Sequence, residues 1–233
     1  MLNQPLLKVF LSVVLCIQQA YSRVMVLKIT KLTLSKGAEE LSKSDKDIAR
    51  IVDKFGLPSI KPRTQGYNAI LNIICGQQIS TSAARAIGQR LALIESPMTH
   101  KTALKLGPDR LRSVGLSKPK VKYALGIAHA IEKGEFSFRK VARMADDAAI
   151  REMTKLKGIG KWSAEVYLLF SLQRPDLWPA EDLGIIKGYT HLRGLKKYPD
   201  REQMVKIGEP WRPWRSVAAR LIWHYINSIE GRV

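Results

Sequence analysis

The amino-acid sequence predicts an all-α protein. Apolar residues recur at helical spacing in one segment after another. Helix-capping residues and glycines punctuate those segments at the expected places. Alternating β-branched residues are confined to 24–34, VMVLKITKLTL, where a short strand is expected.

The elements follow in order. Ser44 with Asp47 forms an S-x-x-D capping signal, and Gly56 follows the last turn of that helix. Tyr67 to Cys75, YNAILNIIC, is apolar at helical spacing, and Ser80 opens a second long run, STSAARAIGQRLALIE. Ser117 caps KPKVKYALGIAHAIEK, with Pro119 tolerated in the first turn and Gly134 past the end. Shorter helices are expected over Asp146–Thr154, Lys161–Leu172 and Asp182–Tyr189, and a long one from about Pro213 to Asn227. There is no internal repeat, low-complexity tract or long linker.

The first 24 residues read differently. Val9 to Ile17, VFLSVVLCI, follows Lys8 and precedes Ala20-Tyr21-Ser22. A short apolar run with a basic flank and a small-residue exit resembles a secretory leader, and it is too short to span a bilayer. Met25 is the alternative start, and the chain beyond it reads as an ordinary soluble sequence. Residues 1–24 are therefore set aside as leader or upstream extension, and residues 25–233 form one domain.

Composition narrows the partner. Hydrophobic residues make up 45% of the 233, enough for a real core. Lys and Arg number 39 against 20 Asp and Glu, giving a net charge of +19. An excess of this size points first to nucleic acid and second to an anionic membrane surface, but no basic amphipathic helix stands apart from the folded pattern. Two cysteines, Cys16 and Cys75, are too few for a zinc or iron–sulfur site, and the four scattered histidines show no ligand spacing. No cofactor is expected. The cysteine usage suits a reducing compartment, hence a cytoplasmic, nucleoid-associated protein.

The most informative stretch is Thr154 to Ala164, TKLKGIGKWSA. A short helix enters, Gly158-Ile159-Gly160 turns, and a new helix leaves from Lys161. Two glycines allow a tight turn and close approach of a ligand. Backbone amides and the outgoing helix N-terminus converge on an anion site suited to a DNA phosphate. Lys157 and Lys161 add charge beside it, and Ile159 plugs the space between the helices. On Gly-Ile-Gly alone an ordinary helix–helix turn is the simpler reading; Leu156, the two lysines and Ser163-Ala164 tip the balance toward nucleic acid.

This stretch resembles the hairpin of the helix-hairpin-helix DNA glycosylase superfamily. The next loop, Pro175 to Leu183 (PDLWPAEDL), is similar to the family's Gly/Pro-containing loop ending in an aspartate, here Asp182. Three further stretches resemble the alkylation-repair branch, DNA-3-methyladenine glycosylase II. They are Ile73–Ser80 (IICGQQIS), Gly115–Tyr123 (GLSKPKVKY) and Trp211–Trp223 (WRPWRSVAARLIW).

The resemblance implies a set of roles. Asp182 becomes the catalytic carboxylate, with adjacent Glu181 the competing acid. A carboxylate can stabilise the positive charge that builds on the sugar as an N-glycosidic bond breaks, and can orient the attacking water. Trp162 and Trp223 fall at base-pocket positions, where an aromatic face would stack on a cationic alkylated purine. Tyr167 is displaced by one residue from the family's aromatic position. Gln78 falls at the intercalating position that fills the gap left by a flipped base, with Gln77 beside it. Lys157, Gly158, Gly160 and Lys161 would hold DNA phosphate, and the carbonyls of Thr154, Leu156 and Ile159 a monovalent cation. Lys118, Lys120, Lys122, Arg212 and Arg215 are further phosphate candidates, though on spacing alone each reads first as a solvated charge. Trp211 and Trp214 read as core.

Bifunctional members of the superfamily place a nucleophilic lysine two residues after the second hairpin glycine. Here that residue is Trp162, which implies a monofunctional hydrolase. The resemblance thus implies a two-lobed helical fold with its cleft between lobes: residues 67–172, containing the hairpin, and residues 25–66 with 173–233. The implied function is excision of alkylated purines of the 3-methyladenine and 7-methylguanine type from double-stranded DNA in base excision repair, by a monomer. A non-catalytic helix-hairpin-helix DNA binder and an oxidised-base glycosylase remain the alternatives.

Overall fold

The computed structural model describes residues 28–61 and 63–231, which form twelve α-helices and one 3-10 turn. The leader-like segment, Cys16 and residues 24–27 of the expected strand lie outside the described residues. The helices are α1 (Lys31–Ser44), α2 (Lys46–Phe55), α3 (Tyr67–Gly76), α4 (Thr81–Ala92), α5 (His100–Ser113) and α6 (Lys118–Glu132). They continue with α7 (Phe138–Val141), α8 (Asp146–Thr154), α9 (Lys161–Phe170), α10 (Leu183–Leu192), α11 (Arg201–Gly208) and α12 (Arg215–Ile229).

Two local expectations are corrected. Among the described residues of the β-branched stretch near the start, 28–34, there is no strand: from Lys31 it is the first turn of α1. Thr30 caps that helix in a reciprocal box with Thr33, which satisfies the orphan amide donors that a strand would have sent to a partner. The cap of α2 is Asp45 rather than Ser44, because Ser44 still belongs to α1 while Asp45 takes the amides of Asp47 and Ile48. Ser80 caps α4 through the amide of Ala83, and Pro119 sits in the first turn of α6.

Helix packing falls into two groups. Helices α3 to α9 pack among themselves, with α3 central against α4, α6 and α9. Helix α12 packs against α1, α2 and α10. The crossover between the groups is stitched by Ile29, whose amide donates to the Gln173 carbonyl at 2.8 Å, and by Arg220 of α12, which donates to the Leu169 carbonyl at 2.8 Å. Wholly buried Ile70, Ile74, Leu168 and Leu169 fill the first group, and Val217, Leu221 and Ile222 the second. This burial supplies the main driving force, since an isolated helix of 8 to 15 residues is marginal in water.

The loop from Gln173 to Glu181 leads into α10, and its conformation is over-determined. Arg174 is buried and holds Asp146 at 2.8 Å together with the carbonyls of Ala142 and Met144. The Ser216 hydroxyl accepts the Leu177 amide at 2.8 Å, and the Trp178 indole donates to the Met204 carbonyl at 2.6 Å. Arg174 is the buried member of that pair and Asp146 is partly exposed, so removing Asp146 would leave a buried guanidinium short of one acceptor. The loop therefore delivers the residue that follows it, Asp182, to a fixed place.

Candidate active site

Asp182 is the N-cap of α10, and its Oδ1 accepts the Ile185 amide at 3.0 Å. Two indoles converge on the same carboxylate. Trp223 Nε1 of α12 donates to Oδ1 at 2.9 Å, and Trp162 Nε1 of α9 donates to Oδ2 at 2.8 Å. A carboxylate offers about four lone-pair sites, two per oxygen. Oδ1 is filled and Oδ2 keeps one free. Gly184 makes room for this arrangement: a Cβ there would lie 3.0 Å from the Trp223 ring and 3.1 Å from Oδ1.

Asp182 opens onto two connected spaces. One is a cleft of about 1280 Å³ bordered by Gln77, Gln78, Tyr123, the hairpin, Glu181 and Lys187. The other is a pocket of about 720 Å³ lined by Trp162, Val166, Phe170, Trp223, Arg63 and Arg220 among others. Residues 162, 166 and 170 are one turn apart on α9 and share its pocket-facing side. Phe170 packs on Trp223 with ring centroids 5.0 Å apart.

The hairpin forms as its residues dictate. Gly158 has φ +91°, and a Cβ there would fall 2.2 Å from the Tyr123 ring. Backbone conformation and packing both require glycine. Ile159 is buried between the helices, and its amide closes the turn on the Leu156 carbonyl at 3.0 Å. Gly160 is the N-cap of α9, where no side chain caps the first amides. Those donors face outward beside exposed Lys157 and Lys161. Thr154, Leu156 and Ile159 border the same cleft, and the Leu156 carbonyl already accepts the Ile159 amide.

Several sequence-derived assignments change. Tyr167 is no pocket residue: it is fully buried on the other side of α9, donates to nothing in the cleft, and its hydroxyl accepts the Gly66 amide at 2.9 Å. The helix period turns Val166 toward the pocket instead. Gln77 is not free to enter DNA, because its Nε2 donates to the Gly158 carbonyl and to Ser163 Oγ, both at 3.0 Å, which braces the hairpin. Gln78 is exposed at the cleft edge with φ +54°, a sparsely populated conformation for a non-glycine residue. Lys120 donates to the Cys75 carbonyl at 2.8 Å, at the C-terminal end of α3. Arg212 and Arg215 are both bound to Asp176 and Glu209. These three cations hold the fold together. Lys118 and Lys122 remain exposed. Glu181 turns away from Asp182 to pair with Arg201 at 2.7 Å. Trp211 and Trp214 are buried and donate to Asp45 and Glu40.

Sequence reasoning missed Arg63, Phe170 and Arg220 in the pocket, Tyr123 under the hairpin, and Glu165. Only Phe170 carried a readable signal, its spacing of eight from Trp162. Glu165 is buried one turn after Lys161, with 3.7 Å between their charged atoms. Burial pushes its carboxyl up to about 7, against the pull of Lys161. Burial also pushes the Cys75 thiol up to about 11, so it offers no thiolate nucleophile at neutral pH.

An all-helical, two-group fold with a cationic glycine hairpin facing a fixed carboxylate defines a DNA-directed protein with a candidate hydrolytic site. Residues 71–213 match the model of the HhH-GPD superfamily of base excision DNA repair proteins, and the chain belongs to that family. It is 30% identical over 200 residues to DNA-3-methyladenine glycosylase 1 of Schizosaccharomyces pombe, covering 82% of this chain and 87% of that protein. It is 24% identical over 167 residues to DNA-3-methyladenine glycosylase 2 of Escherichia coli, covering 69% and 56%. Among solved structures it resembles the S. pombe 3-methyladenine DNA glycosylase in complex with abasic DNA, with TM-score 0.74, 29% identity, and 81% and 95% of the two chains covered. No helix among the described residues is long and apolar enough to cross a membrane.

Proposed function

We propose that this protein is a monofunctional DNA N-glycosylase that flips alkylated purines of the 3-methyladenine and 7-methylguanine type out of double-stranded DNA and hydrolyses their glycosidic bond in base excision repair. Family membership and the alkylation-repair relatives support the class of reaction. The single observation that carries the mechanism is the carboxylate of Asp182, held by two indoles and a backbone amide with one lone-pair site left on Oδ2.

The hairpin amides with Lys157 and Lys161 bind a DNA phosphate, and Gln78 fills the gap beside the orphaned base. The extruded base enters the pocket between Trp162, Phe170 and Trp223. As the bond from C1′ to the base lengthens, its electron pair leaves with the base and positive charge collects on the sugar. Asp182 stabilises that charge. The free site on Oδ2 accepts a hydrogen bond from water, whose oxygen bonds to C1′ while its proton passes to the carboxylate and on to solvent. The products are a free base and an abasic site. A methylated base leaves readily because it already bears charge, so the site has no need of a general acid. Such work takes place where the chromosome is, which in a bacterial cell is the cytoplasmic nucleoid.

The test is direct. Incubated with methylated duplex DNA, the protein is expected to release free methylpurine and leave abasic sites, with no borohydride-trapped covalent adduct. Binding without base release would indicate a DNA-binding module, and a trapped adduct would indicate a lyase.

A further inference from the structure

The cleft in front of Asp182 has two banks. On one stand the hairpin, Gln78 and Tyr123; on the other stand Leu183 and Lys187 of α10, with Ile226 and Asn227 of α12. The hairpin bank carries Lys157 and Lys161. The α10 bank carries one cation among the described residues, Lys187. It is exposed and makes no hydrogen bond or ion pair with any described residue. The two acids beside it are occupied elsewhere: Glu181 pairs with Arg201, and the Asp182 carboxylate holds the two indoles.

Leu183, directly after the carboxylate, is 56% exposed, whereas Ile185 and Leu192 of the same helix are buried. A single exposed leucine needs no explanation on an outer surface. This one borders the cleft, and it lies four residues before Lys187, so the two share one face of α10. Lys187 stands five residues past Asp182, about 7.5 Å along the helix axis. An apolar side chain followed one turn later by a free cation matches the order in which a nucleic-acid strand presents a deoxyribose and then a phosphate.

The hairpin alone fixes a strand at one point and leaves it free to pivot. A nucleotide turned out of the stack keeps its sugar over a carboxylate only when the backbone is held on both sides of it.

We infer that Leu183 and Lys187 form a second strand anchor. Lys187 binds the phosphate on the side of the extruded nucleotide away from the hairpin, and Leu183 packs against the deoxyribose joined to that phosphate. This rests on the glycosylase reading above and adds two positioning residues to it.

The experiment uses a duplex carrying a tetrahydrofuran abasic analogue. Its flanking phosphates are replaced one at a time by neutral methylphosphonates, and affinity is measured against salt. Lys187→Met is expected to lower the slope of log affinity against log salt by about 1. That loss should vanish when one particular phosphate is already neutral. Lys157→Met should couple to a different phosphate, on the other side of the lesion. Lys187→Arg should restore the wild-type slope, which a merely structural lysine would not require. Both side chains are exposed, so their replacement leaves the core intact. Leu183→Ser is expected to slow single-turnover release of methylpurines about 5- to 10-fold at saturating protein, with the salt slope unaltered.

An unchanged slope for Lys187→Met overturns the inference, as does a loss that is the same whichever phosphate is neutral. Coupling of Lys187 to the phosphate that Lys157 reads overturns it too, as does wild-type release by Leu183→Ser. If the wild-type protein releases no base at all, the glycosylase reading fails and takes this inference with it; normal release without a phosphate specific to Lys187 sinks the second anchor alone.

Discussion

Trp162 of α9 and Asp182 at the head of α10 are joined by a 2.8 Å hydrogen bond from indole to Oδ2. The bond links a residue of the hairpin helix to the carboxylate that faces it. It holds Asp182 against rotation about its side-chain bonds and orients the one lone-pair site left open on Oδ2. Replacing Trp162 with Phe keeps the ring and deletes the donor. Single-turnover base release is expected to slow about 10-fold, with DNA affinity within a factor of about 3, since a hydrogen bond to a charged group is worth about 1.5–3 kcal/mol. An unchanged rate would remove the indole from the mechanism.

Gly158 cannot carry a side chain. Its φ of +91° is strained for any other residue, and a Cβ would sit 2.2 Å from Tyr123. Gly158→Ala is expected to destabilise the protein by about 2–4 kcal/mol and to weaken DNA binding. Denaturant titration and an equilibrium binding assay read the two effects separately.

Glu165 introduces a pH dependence. An unfolded carboxyl titrates near 4.5, whereas the folded one is pushed up to about 7. Between those values the folded state keeps a proton that the unfolded chain has lost. Stability from this group is therefore complete below about pH 4.5 and lost as pH rises through 7. Glu165→Gln is expected to stabilise the protein by about 1–3 kcal/mol at pH 8 and to change little at pH 4.5. It also releases Lys161 for phosphate, so DNA binding at pH 8 should tighten. A stability gain that is equal at both pH values would contradict the assignment.

Lys157 and Lys161 flank the uncapped amides of α9 and stand exposed. If each neutralises one phosphate, Lys157→Met or Lys161→Met should lower the slope of log affinity against log salt by about 1. Arg212→Met should leave that slope unaltered, since its guanidinium is bound to Asp176 and Glu209.

The features that were legible in the sequence are local. Gly158-Ile159-Gly160, the run of helices, and Asp182 at the start of α10 depend on backbone geometry and spacing within a few residues. The features that could not be read depend on distant packing. Arg63, Phe170 and Arg220 meet from three separate segments, and no spacing relates 63 to 220. Tyr167 shows the opposite error: one step along a helix turns a side chain by about 100°, enough to move it from pocket to core. The expected strand failed because Thr30 offered a cap that alternation of β-branched residues does not reveal. Lys120, Arg212 and Arg215 looked like free charges because their partners lie elsewhere in the chain.

The most direct measurement is single-turnover release of methylpurines from methylated duplex DNA by Asp182→Asn, alongside its DNA affinity. Asn keeps an acceptor for the Ile185 amide and the Trp223 indole but turns an amide toward Trp162, removing both the charge and the site for water. The account predicts that release falls by at least about 10²- to 10⁴-fold while binding stays within a few fold. Release at the wild-type rate with binding intact would contradict it.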